Sequence, residues 1–137
     1  MRWLALLAVL VLGACATQVG PTEAELKARW EAENIYPEGY RRDLVAFLRT
    51  YLNDPTHVRA AMVSQPQRKS FGLGERFVTC VRYRARKSDG TYAAPKQGAA
   101  TFVSGKLDRF FDAPAELREL CKDVAFEPFP ELEKLTR

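Results

Sequence analysis

The chain has 137 residues, with 21 Lys and Arg against 17 Asp and Glu, a formal net charge of +4 and a single histidine. That length supports one domain with a real core, not two. The mild charge does not fit a nucleic-acid binder, which needs a concentrated basic face. There is no low-complexity tract and no internal repeat.

The chain opens with Arg2, then ten uncharged apolar residues from Trp3 to Leu12, then Gly13 and Ala14. This is the layout of a secretory leader. A bilayer-spanning helix needs about 20 apolar residues, so the run is too short to remain as a span. Leu12-Gly13-Ala14-Cys15 resembles the lipobox of bacterial lipoproteins. That resemblance implies cleavage before Cys15, a diacylglycerol thioether on its sulfur, and acylation of the new amine by a fatty acid such as palmitate. One acyl chain binds a membrane only marginally, whereas two or three anchor it stably. Ala16 stands where an aspartate would mark inner-membrane retention in the best-studied sorting systems, so the resemblance implies the outer membrane. The organisation expected is residues 1–14 as lipoprotein signal peptide, 15–21 as lipidated cysteine and tether, and 22–137 as a single α+β domain.

Residues 16–21 have no apolar period and contain Gly20 and Pro21, which reads as tether. Thr22 to Glu25 fits a capping box opening a helix over residues 23–33. Its large apolar residues are only Leu26 and Trp30, a stripe narrow enough for a helix lying on the surface or forming a partly free stalk. Pro37 starts a second helix in which Leu44, Phe47, Leu48, Tyr51 and Leu52 follow the i, i+3, i+4, i+7, i+8 pattern of a core-facing side. This aromatic stripe reads as core packing ahead of a ligand cavity. Asn53-Asp54-Pro55 ends the helix.

Beyond Pro55 the period changes to two. Residues 58–63 read as a short strand and residues 65–75, with Pro66, Gly72 and Gly74, as a long loop. Phe77, Thr79, Val81 and Tyr83 alternate with Val78, Cys80, Arg82, Arg84 and Arg86, giving a strand with one apolar and one largely basic face. Ser88-Asp89-Gly90 turns, and the stretch to Gly98 is irregular. Residues 99–103 and 106–111 flank Ser104-Gly105, a two-residue hairpin turn. Residues 114–121 suit a short helix with proline at its first position. Phe126 to Leu132 is too proline-rich for regular structure, though its two phenylalanines favour packing across the domain. Helices segregated from a meander predict a two-layer α+β sandwich: N-terminal helices on a three- or four-stranded antiparallel sheet, a short C-terminal helix and an extended tail.

In an exported chain, Cys80 and Cys121 are expected to pair. The alternative is a metal site with His57 as third ligand, which no CxxC or HxxxH spacing supports. Phe71-Gly72-Leu73-Gly74 holds a GxG that nothing completes into a dinucleotide motif. The serines at 64, 70, 88 and 104 lie in no GxSxG, and Asp108/Asp112 is an ordinary surface spacing. No catalytic residue, metal or cofactor is expected. Arg82, Arg84 and Arg86, about 6.6–7 Å apart along one strand face, offer contact to an anionic lipid, glycan or protein surface. The other reading is a solvated face that deters edge-to-edge pairing.

Tyr36-Pro37, the run from Phe47 to Pro55, Cys80-Val81-Arg82-Tyr83 and the terminal Pro128-Phe129-Pro130-Glu131-Leu132-Glu133 make the chain resemble small envelope lipoproteins of Gram-negative bacteria, a class without an assigned activity. The helix-then-meander order is more loosely similar to small lipoprotein accessories of the outer-membrane protein assembly machine. What this implies is a lipid-anchored, periplasm-facing outer-membrane module with a structural or protein-interaction role, not an enzyme. The alternative from another class is an envelope ligand-binding protein or enzyme inhibitor. Partners implied are the membrane through the anchor and an envelope protein or anionic glycan or lipid, with no nucleic acid.

Overall fold

A computed structural model describes residues 19–136. The leader and Cys15 lie outside the described residues, so the signal peptide, the lipidation site and the start of the tether have no structural account.

The first helix, α1 (Glu23–Ala32), is opened by a complete capping box: the Thr22 hydroxyl accepts from the Glu25 amide at 3.2 Å, and the Thr22 amide donates to the Glu25 carboxylate at 2.8 Å. None of its residues is buried. It is held at its C-terminal end. Trp30 donates from Nε1 to the Glu75 carbonyl at 2.8 Å, and the Arg76 guanidinium lies 3.6 Å from the Trp30 ring while donating to the Trp30 carbonyl. Just beyond the helix, Asn34 Oδ1 accepts from the Phe77 amide and the Glu33 carbonyl accepts from the Ser104 amide. This makes α1 the surface helix that its narrow stripe predicts.

The second helix, α2 (Tyr40–Tyr51), starts three residues after Pro37, because the 36–39 segment first makes a turn in which Tyr36 and Pro37 carbonyls accept from Glu38 and Tyr40. Leu44 and Leu48 are fully buried and Phe47 and Leu52 pack on their cluster, as the periodicity predicts, whereas Tyr51 at the last turn is exposed, where its hydroxyl bonds Asp112.

The six strands are β1 (Arg59–Ser64), β2 (Gln67–Phe71), β3 (Gly74–Arg84), β4 (Lys96–Val103), β5 (Lys106–Phe111) and β6 (Phe126–Pro128). They form one antiparallel sheet in the order β5-β4-β3-β1-β6, with β2 also on β3. The α+β class, the N-terminal helices on an antiparallel sheet and the short C-terminal helix are as the sequence predicts, but the sheet is larger than three or four strands. One gain is β2, where a loop is expected. Its Gly72 (φ 62) and Leu73 form a two-residue turn between the paired Phe71 and Gly74, so the glycines close a hairpin. The other is β6, where Phe126 to Pro128 pairs with Ser64 to Met62 and ends at the proline that cannot continue it. Ser104 and Gly105 both have positive φ, 51° and 76°, and make the anticipated hairpin between β4 and β5.

Strand β3 is the spine. It is eleven residues long, and one of its edges serves two partners in turn: β2 along Gly74–Val78 and β1 along Val81–Arg84. Its odd residues Val81 and Tyr83 face the main core with Leu44, Leu48, Val63, Ala100 and Phe102. Its even residues Val78 and Cys80 face a smaller core with Ala99, Leu117, Leu120 and Phe126. The short helix α3 (Pro114–Leu120) closes that second face, adding a partial third layer.

After β6 the tail forms one more helical turn, α4 (Pro130–Glu133), with proline at its start. Phe129 and Leu132 are fully buried in the main core, so the tail packs across the domain as its phenylalanines predict. Arg41 of α2 ties it down with ion pairs of 2.9 Å to both Glu127 and Glu131. Among the described residues no helix is long and apolar enough to cross a membrane.

Candidate functional site

Cys80, central in β3 and fully buried, is bonded to Cys121 at the end of α3, with Cα atoms 5.9 Å apart. The sequence-based pairing is correct. The bridge also removes both sulfurs from any metal site with His57, whose Nδ1 lies 3.1 Å from the Thr56 hydroxyl and whose backbone carbonyl accepts from the Tyr92 hydroxyl at 2.7 Å.

The arginine row divides. Arg82 and Arg84 are exposed on the outer end of the second sheet face. Past the strand end, Arg86 turns away to Asp54, which accepts from its Nε and pairs with its Nη2, both at 3.0 Å. The Asp54 carboxyl is held down to about 2, first by the Thr56 hydroxyl, then by the Thr56 amide and Arg86, against the opposing effect of burial. Arg86 is therefore neutralised within the domain, and Arg76, nearby in sequence, is buried under Trp30 beside Glu33.

Arg59 takes the place Arg86 leaves. In a regular strand Arg59 would alternate with Ala61 and Val63 and point into the main core. A β-bulge between Arg59 and Met62, with Ala60 at φ 52°, inserts one residue and reverses that alternation. Val58 consequently turns into the main core, while Arg59 stands directly across from Arg84 on the exposed face. Two of the guanidiniums rest on aromatic rings, Arg59 4.2 Å from the centroid of Tyr92 and Arg82 4.0 Å from that of Phe126. Arg84 donates from Nε to the Ala93 carbonyl at 3.2 Å. Among the described residues, none of these three arginines has a carboxylate partner. Sequence periodicity misses Arg59 because a bulge leaves no mark on the alternation.

On the opposite face, the end of α2 and the 85–96 segment border an open cleft of about 1180 Å³. Its walls are largely polar, including Asn53, Asp54, Arg86, Lys87, Asp89 and Lys96. At its rim the Tyr51 hydroxyl donates to Asp112 at 2.6 Å, a bond that, with burial, pushes the phenol up to about 12. Asp108 instead faces Arg109. The two carboxylates thus serve different partners, which does not build an acid–base pair. Among the described residues no three His, Cys, Asp or Glu side chains are placed to share an ion.

Compared with known proteins, the chain matches no protein-family model, no curated protein and no solved structure.

Proposed function

We propose that this chain is a lipid-anchored lipoprotein of the bacterial outer membrane whose one α+β domain faces the periplasm and serves as a structural or protein-interaction module. The Cys80–Cys121 bridge carries the reading. Such a bond persists in an oxidising compartment and is rare in the cytosol. The leader and Leu12-Gly13-Ala14-Cys15 supply the route and the anchor. The open, polar-walled cleft favours a module over the alternative of a ligand-binding protein, since small-molecule sites are enclosed and mostly apolar. The partner is an envelope protein or an anionic glycan or lipid. Globomycin, which blocks the lipoprotein signal peptidase, should accumulate the precursor. Cys15→Ser should abolish palmitate labelling and release the domain from membranes. Unchanged labelling and membrane association in Cys15→Ser would sink the proposal.

A further inference from the structure

Three like charges held together on a small sheet face call for an explanation. Arg59 and Arg84 are cross-strand partners, which places their Cβ atoms about 4.5–5.5 Å apart, and Arg82 stands about 6.6–7 Å along the strand from Arg84. Like charges directly opposite each other destabilise a sheet. The fold nevertheless brings Arg59 into this position through a bulge that holds alanine in the left-handed region, where a non-glycine residue is strained. Bulges are enriched beside functional sites, where they re-aim a side chain.

The guanidiniums are also oriented. Arg59 lies over the Tyr92 ring and Arg84 is bonded at the Ala93 carbonyl, so both are held beside the same two-residue stretch. Arg82, lying on Phe126, flanks them. The terminal Nη groups of all three donate to nothing among the described residues, and all three side chains are exposed. What is left is an array of paired N–H donors with fixed planes and no internal anion.

We infer that Arg59, Arg82 and Arg84 form a binding surface for a phosphomonoester group carried on a sugar or a lipid headgroup. A carboxylate offers one charge and two oxygens, enough for one guanidinium fork. A phosphomonoester offers about −1.5 to −2 charges at pH 7 and three strong acceptor oxygens, which suits neighbouring arginines better. Arginine in place of lysine at all three positions fits bidentate recognition of a planar or tetrahedral anion. The site is independent of the lipid-anchor reading, because none of its parts involves Cys15.

The test uses the mature protein purified in a neutral detergent. Glucosamine 6-phosphate is the soluble probe and glucosamine, which keeps the amine but lacks the phosphate, its control. Micelles doped with dioctanoyl phosphatidic acid, against dioctanoyl phosphatidylcholine, are the headgroup probe. Binding is followed through the arginine Nε–Hε NMR signals. The phosphorylated probes should shift Arg59, Arg82 and Arg84 saturably, and the controls should not. Arg59→Gln with Arg84→Gln should weaken binding about tenfold or more, while Arg86→Gln, which removes a paired arginine, should leave it unchanged. Arg59→Lys with Arg84→Lys keeps the charge, so a comparable loss there assigns the effect to the guanidinium fork. A response only to the sugar phosphate, or only to phosphatidic acid, identifies the source and supports the inference either way. Binding by the folded Gln variant equal to that of the parent overturns it. So does the absence of a saturable shift with either phosphate, or tighter binding of a Glu-rich peptide, which would assign an acidic protein instead.

Discussion

Replacing both Cys80 and Cys121 with alanine separates what the bridge does to the unfolded chain from what it does to the fold. The bond closes a loop with a sequence separation of 41 between β3 and α3. In the chain-entropy relation, a loop of that size restricts the unfolded ensemble by about 13 cal/mol/K, or about 4 kcal/mol at 25 °C. The folded state changes little by comparison, because Val78, Ala99, Leu120 and Phe126 still close the small core around the site. The double variant should therefore lose about 4 kcal/mol in urea unfolding at neutral pH. For a domain of this size that corresponds to a drop in Tm of roughly 10–20 °C. The urea m-value should rise, since an unfolded chain freed from its cross-link exposes more surface. Cys80→Ala alone should cost a similar amount. A loss below about 1 kcal/mol, or an unchanged m-value with a large loss, would refute the loop-entropy account, the second pointing to native packing around the sulfurs instead.

Two further outcomes follow from contacts elsewhere. Asp54 has its carboxyl held down to about 2, so in the folded state it stays charged below the ordinary carboxylate range. Its contribution to stability is present above the unfolded value of about 3.9 and is lost as pH falls toward 2, so Asp54→Asn should lower Tm at pH 7 and flatten the acid limb between about pH 4 and pH 2. Equal acid limbs in parent and variant would contradict it. Trp30→Ala removes the ring that covers buried Arg76 and the donor to Glu75, and should expose the amides of Glu23–Ala32 to rapid hydrogen exchange while the protection of β3 and β4 persists. Exchange in α1 as slow as in the parent would show that another contact holds the helix.

Where a pattern repeats, the sequence determines the structure plainly. The core contacts of Leu44, Phe47, Leu48 and Leu52, the Thr22–Glu25 capping box and the Ser104-Gly105 turn each rest on local rules with few competing outcomes, while Tyr51 of the same stripe ends exposed at the helix terminus. Segment 65–75 reads as a loop for a physical reason: Gln67-Arg68-Lys69-Ser70 has little apolar content, and its pairing comes from the exposed edge of β3. β6 is similar, a three-residue strand defined by the edge of β1 and not by its own prolines. The alternation reveals the basic face but not its membership. Whether an arginine stays free depends on which carboxylate the fold brings to it, and Asp54 reaches Arg86 from 32 residues away. Arg59 depends on a one-residue bulge that no alternation reveals.

The weak seating of α1 has a mechanical consequence under the proposed anchor at Cys15. Six residues, 16–21, reach at most about 20 Å when taut. Tension on the anchor then arrives at Thr22 and runs along a helix with no buried residue, meeting its first firm purchase at Trp30 and Arg76. That purchase is on the hairpin end of β3, while Arg84 lies eight residues further along the same strand, about 26 Å away. A pull strong enough to lift Trp30 would unwind α1 before it disturbed the sheet, extending the leash to residue 32 and its reach to nearly 60 Å. Such a leash lengthens only once the Trp30 ring and the Arg76 bond to the Trp30 carbonyl both let go, and Trp30→Ala removes the first of these holds.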